Sequence, residues 1–133
     1  MTVSYAKSYI DRAYDARDIF TLYHVISTLE ANRDLPEVFE LFMRLWEWCC
    51  STRSGVWQYY EIIPLAEFHK TADMMKRHNL GEITERFLGG MENWQEPEYC
   101  GDLDDWIEDN QETIAMAAMT LIEEHRDYLY PVK

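Results

Sequence analysis

The segment Pro36-Glu-Val-Phe-Glu-Leu-Phe-Met-Arg-Leu-Trp-Glu-Trp-Cys-Cys50 decides the fold class. Its apolar positions Val38, Phe39, Leu41, Phe42, Leu45, Trp46, Trp48 and Cys49 cover more than half the circumference of a helix, which predicts an element covered by neighbours on most sides. Pro36 falls in the first turn, where a missing N–H costs nothing, and Asp34 offers an N-cap.

Working outward toward the N-terminus, Asp18 stands before Ile19, Leu22, Tyr23, Val25, Ile26 and Leu29, a broad stripe predicting a helix that ends near Ala31. Before it, Tyr5, Ala6, Tyr9, Ile10, Ala13 and Tyr14 recur at helical spacing, and their tyrosines suggest a half-wet edge. Residues 1–16 are therefore expected to form a peripheral helix. Its tyrosines offer a surface for pairing with a second copy of the chain.

Toward the C-terminus, Ser51 to Gly55 marks a break, and Val56 to Ile63 fits a short helix or tight turn that Pro64 ends. Leu65, Phe68, Ala72 and Met75 restore helical spacing, with Lys76, Arg77 and His78 near a terminus closed by Asn79 or Gly81. A further helix begins at Glu82, and Gly89-Gly90 is expected to weaken or end it. Met91 to Gly101 then reads as a long loop, and Asp102 as the cap of a helix with inward residues Leu103, Trp106, Ile107 and Asn110. Ile114, Ala117, Ala118, Leu121, Ile122, His125 and Leu129 form a last regular stripe that Pro131 ends. With no repeat, low-complexity tract or linker, residues 1–133 are expected to form one acidic all-α domain, a compact bundle of about six to eight helices.

Composition agrees. The 133 residues include five Trp, nine Tyr and five Phe, bulk enough for a core without metal or disulfide. Cys49, Cys50 and Cys100 are odd in number and lack a C-x-x-C pair, fitting neither a disulfide framework nor a zinc knuckle, so reduced thiols in a cytoplasmic setting are expected. No apolar run approaches the roughly 20 residues that cross a bilayer.

The formal charge of −13 is unevenly divided, because residues 82–133 hold 14 acids against 3 bases. Direct binding to nucleic acid or to an anionic membrane surface is disfavoured, since both reward a basic face. From Phe87 to His125 there is no lysine or arginine, and the candidate partner-binding residues are Glu92, Glu96, Glu98, Asp102, Asp104, Asp105, Glu108, Asp109 and Glu112. They point to a basic protein surface as partner. Side by side, the acidic loop Glu92 to Glu98 and an outward arc from Asp102 would approach the charge density of a duplex.

Chemistry is not signalled. His24, His69, His78 and His125 fall in four different predicted helices, none with Glu three residues before it, so neither a metal nor another cofactor is expected. No G-x-S-x-G, H-E-x-x-H or glycine-rich phosphate loop occurs, and no catalytic residue is assigned.

The segment Ser54-Gly-Val-Trp-Gln-Tyr-Tyr60 is similar to the glycine-glycine-aromatic-x-Gln-aromatic-aromatic motif of the small acidic bacterial DNA-mimic protein family, widely catalogued as a domain of unknown function. Ala72 to Gly81, Leu103-Asp-Asp105 and the stripe Ile114 to His125 resemble the segments that follow in that family. Ser54 and Val56 replace the first glycine and first aromatic of the motif, and Glu61-Ile-Ile-Pro64 replaces its serine-asparagine turn. The resemblance implies an all-helical fold and, for one type of member, a dimer occupying the DNA-binding surface of a transcription factor. The alternative is an immunity or antitoxin-like inhibitor of a toxin, anchored by Trp57, Tyr59 or Trp94. A small hydrolase or metalloprotein is a third reading.

Overall fold

The computed structural model describes residues 3–132. The fold is all-α: helices α1 (Lys7–Asp15), α2 (Ile19–Glu30), α3 (Glu37–Cys50), α4 (Val56–Ile62), α5 (Leu65–Arg77), α6 (Glu82–Asn93), α7 (Pro97–Asp109) and α8 (Gln111–Ile122), with 3₁₀ segments at Ser51–Arg53 and Glu123–Leu129 and no strand among the described residues. Contacts group the chain into two compact units, residues 1–43 with 118–133, and residues 44–117. The boundaries fall inside α3 and α8.

In the first unit, Asp18 caps α2 as its position suggests, accepting from the Thr21 N–H at 3.1 Å. Ile10, Leu22, Val25, Ile26, Leu29 and Phe39 are buried, while Tyr9 is exposed. Tyr14 is buried and donates its hydroxyl to the Ile122 carbonyl at 3.2 Å. The terminal segment does not continue as α-helix. It tightens into the 3₁₀ segment after Ile122, with His125 out of helical geometry and edge-on to Phe39. Asp11 gathers this end: it accepts from the Tyr130 hydroxyl and Lys7, and Arg126 lies 3.5 Å away.

The second unit is organised around Tyr60. Its hydroxyl accepts from Trp48 Nε1 at 2.9 Å and donates to the Phe87 carbonyl at 2.8 Å, so three elements share one buried oxygen. Phe87 stacks on Phe68 with centroids 5.0 Å apart and meets Trp48 edge-on. Burial that leaves both polar tips paired is what makes such large amphipathic rings stable in a core.

Two expectations are corrected here. Gly89-Gly90 does not end α6, which runs to Asn93. Gly90 is there because Tyr60 crosses at that point, and a Cβ would clash with the phenol end of the tyrosine ring, at its Cζ. Gly89 meets the Tyr99 hydroxyl in the same way. Nor is there a long loop from Met91 to Gly101. Pro97 takes the first position of α7, so only Trp94, Gln95 and Glu96 separate the helices, and Asp102 is an interior residue of α7 rather than its cap. The chain does break at Asn110, whose Nδ2 donates to the Trp106 carbonyl at 2.8 Å between α7 and α8.

Gly90 and Gly101 both sit inside helices but should answer oppositely to alanine. Gly101 has nothing within 4 Å of an added Cβ, so Gly101→Ala should gain about 0.5–1 kcal/mol in urea unfolding from helix propensity alone. Gly90→Ala should lose about 1–3 kcal/mol despite the same propensity gain. Tyr60→Phe should cost about 1–3 kcal/mol for each of the Trp48 and Phe87 groups left unpaired.

Candidate functional site

α7 carries most of the residues singled out by charge. Glu98, Asp102, Asp105 and Asp109 are spaced four, three and four apart, which aligns them as one stripe along the helix, and all four are exposed. None forms an ion pair with a described residue. Glu96 precedes the helix and lines a shallow depression with Glu98 and Asp102. Glu108 is exposed beside the stripe, and Glu112 is exposed in the first turn of α8. Glu92 stands on α6, again exposed.

The expected acidic loop is therefore absent, and its three glutamates are divided: Glu98 joins α7, Glu92 lies on α6 and Glu96 stands in the short connection between them. The reason is local: Pro97 lacks an N–H and has a backbone preset for a first turn, so it begins a helix among glutamates that read as a loop. Arg86 approaches from α6, its guanidinium 5.0 Å from the centre of the Trp106 ring.

Asp104 departs from the outward arc to which the sequence assigned it. Its Oδ1 accepts from the Val56 N–H at 2.9 Å, so it serves the first turn of α4, half-buried. This contact explains how a chain with φ of +101° at Gly55 can start a helix whose preceding residue has no side chain to cap it. Burial pushes the Asp104 carboxyl above the ordinary aspartate value of 3.8, against the opposing pull of the Val56 N–H.

Beside Asp104 lies a cavity of about 600 Å³ whose wall includes Trp57, Glu61, Trp94, Pro97 and Gly101. Trp57 is 40% exposed and folds back over Gly55, where an added Cβ would stand 2.7 Å from its Nε1. Trp94 is fixed through its carbonyl, which accepts from Cys100 Sγ at 3.2 Å. Two of the aromatic residues considered as partner anchors thus come together, although they are far apart in sequence. The third does not join them. Tyr59 packs edge-on to Tyr60 and Phe87, and its hydroxyl is buried without a hydrogen-bond partner.

Other reactive groups are withdrawn. Burial pushes the Cys49 thiol up to about 12, and the Cys50 and Cys100 thiols are also raised by burial, which suits small hydrophobes rather than thiolates. Among the described residues no three of His, Cys, Asp and Glu are grouped to hold a metal ion, and no helix is long and apolar enough to cross a membrane.

Asp104→Ala should cost about 0.5–2 kcal/mol, the range for losing a side-chain cap. A carboxyl that holds its proton more tightly when folded stabilises the fold as pH falls through its raised value. Relative to Asp104→Asn, the wild-type chain should therefore gain stability in urea titrations as pH is lowered from neutrality toward 3.8. A pH-independent difference between the two would contradict this account. Compared with known proteins, the chain matches no family model, no curated protein and no solved structure, so its function rests on the chemistry of its own residues.

Proposed function

We propose that the protein is a non-enzymatic acidic binding module whose α7 engages a basic protein surface, one that otherwise holds nucleic acid. The observation that carries this reading is the unpaired, exposed stripe Glu98, Asp102, Asp105 and Asp109 on a helix that contains no lysine or arginine. Like charges at such spacing repel and cost helix stability, a cost that an opposing basic surface offsets.

Magnitudes favour a strand-like rather than duplex-like mimic. From Glu96 to Asp109 is thirteen steps, roughly 20 Å at ~1.5 Å per residue. The six exposed carboxylates there, Glu96, Glu98, Asp102, Asp105, Glu108 and Asp109, give about one charge per 3.3 Å, against roughly 3.4 Å for one strand of B-DNA. Both strands together would present about twice that density. The likeness of Ser54 to Tyr60 to the acidic DNA-mimic family agrees with this reading, and a transcription factor is the kind of partner it implies.

A second reading rests on Trp57 and Trp94 lining one cavity: an immunity-like inhibitor in which these indoles anchor a toxin. Salt separates the two. Charge reversal to lysine at Glu98, Asp102, Asp105 and Asp109 should leave the fold intact, because all four are exposed, and should abolish capture of a basic partner in pull-downs at low salt. Capture that persists in the reversed variant, is insensitive to salt and is lost in Trp57→Ala would replace the charge reading with the inhibitor one.

A further inference from the structure

Elsewhere the chain seats its own cations on aromatic rings: Arg86 on Trp106, Arg126 on Tyr14 and Lys7 on Tyr130. Trp57 and Trp94 differ. They share the cavity with the carboxylates Glu61 and Asp104, and no lysine or arginine of the described chain lines it. Aromatic faces attract cations through their quadrupole, and carboxylates at the same wall add a net charge that repels anions.

We propose that this cavity, formed by α4 and the first half of α7, binds an organic cation, an alkylammonium or guanidinium group held against Trp57 and Trp94 and neutralised by Glu61 and Asp104. Its volume of about 600 Å³ suits a small organic molecule or a long side chain better than a bare metal ion, for which two carboxylates supply too few ligands. Asp104 is half-buried, and its Oδ2 has no partner among the described residues, so a charge placed beside it is weakly screened. Orphan N–H groups at the start of α7 would disfavour a cation, and Glu96 and Glu98 at that end counter them.

Gly101 is the independent observation. A glycine inside a helix costs about 0.5–1 kcal/mol relative to alanine, and Gly89 and Gly90 justify theirs by the tyrosines that cross them. Gly101 has no such neighbour, since an added Cβ would meet open space, but it lines this cavity. Its missing side chain keeps the cavity open. The inference does not depend on the carboxylate stripe of α7 and stands or falls separately from it.

The test titrates the full chain with tetramethylammonium chloride, and separately with Nα-acetyl-lysine methylamide, at ionic strength held constant with sodium chloride. Indole N–H resonances are followed by NMR and assigned by Trp57→Phe and Trp94→Phe. The Trp57 and Trp94 resonances should shift saturably, with affinity at least tenfold weaker in Glu61→Gln and in Gly101→Leu. Gly101→Leu should keep the wild-type circular dichroism and a thermal midpoint no lower than that of the wild type, because leucine is a good helix former placed in open space. Tighter binding of tetramethylammonium would identify a free quaternary ammonium as ligand, and tighter binding of the lysine derivative a partner's side chain, the cation site being supported in both cases. No saturable shift, equal binding of the neutral isostere 3,3-dimethyl-1-butanol, or unchanged affinity in Gly101→Leu would overturn the proposal.

Discussion

The Tyr60 hydroxyl is the constraint on which the larger unit depends. One buried oxygen answers Trp48 Nε1 from α3 and the Phe87 carbonyl from α6, and so fixes α4 between them. A phenol buried at 3% exposure loses water at both its donor and its acceptor, and only this pairing compensates. The ring's path forces Gly90, and the fixed helix α4 in turn sets where Trp57 and Glu61 project. A polar contact in the core thereby places the groups that line a cavity at the surface.

α7 answers two demands at once. Leu103 and Ile107 are buried, Trp106 is half-buried beneath Arg86, and Asp104 turns to serve the Val56 N–H. What remains for solvent is the stripe from Glu98 to Asp109. The helix thus separates its carboxylates by role: Asp104 is structural and rimmed by low dielectric, whereas the stripe is solvated, mutually repelling and unpaired. Charge at the same spacing in sequence has different meaning because of the face it falls on.

Much of the architecture was legible in periodicity. The α3 stripe, the Asp18 cap, the break before Val56 and the stop at Pro64 all appear where apolar spacing and turn chemistry put them. Errors collected where a residue with strong local meaning served a distant partner. Gly90 reads locally as a helix breaker but is demanded by Tyr60, thirty positions earlier. Pro97 is the local exception: among glutamates it reads as loop, yet its preset backbone starts a helix. Asp104 reads as surface charge until the Val56 N–H, 48 residues away, is brought to it.

The sequence by itself determined that the chain is helical, that its acids concentrate after Arg86, and that its cysteines and histidines form no ligand pattern, because these are matters of composition and of a repeat every three or four residues. Only the structure decided that Glu98 joins the helix carrying Asp102, Asp105 and Asp109, that Asp104 instead serves the Val56 N–H, and that Trp57 and Trp94 line one cavity while the Tyr59 hydroxyl is buried. The physical reason is that local spacing fixes direction around a helix axis but not what stands opposite. Trp57 and Trp94 come to line one cavity through the packing of α4 against α6 and α7, which no interval along the chain encodes.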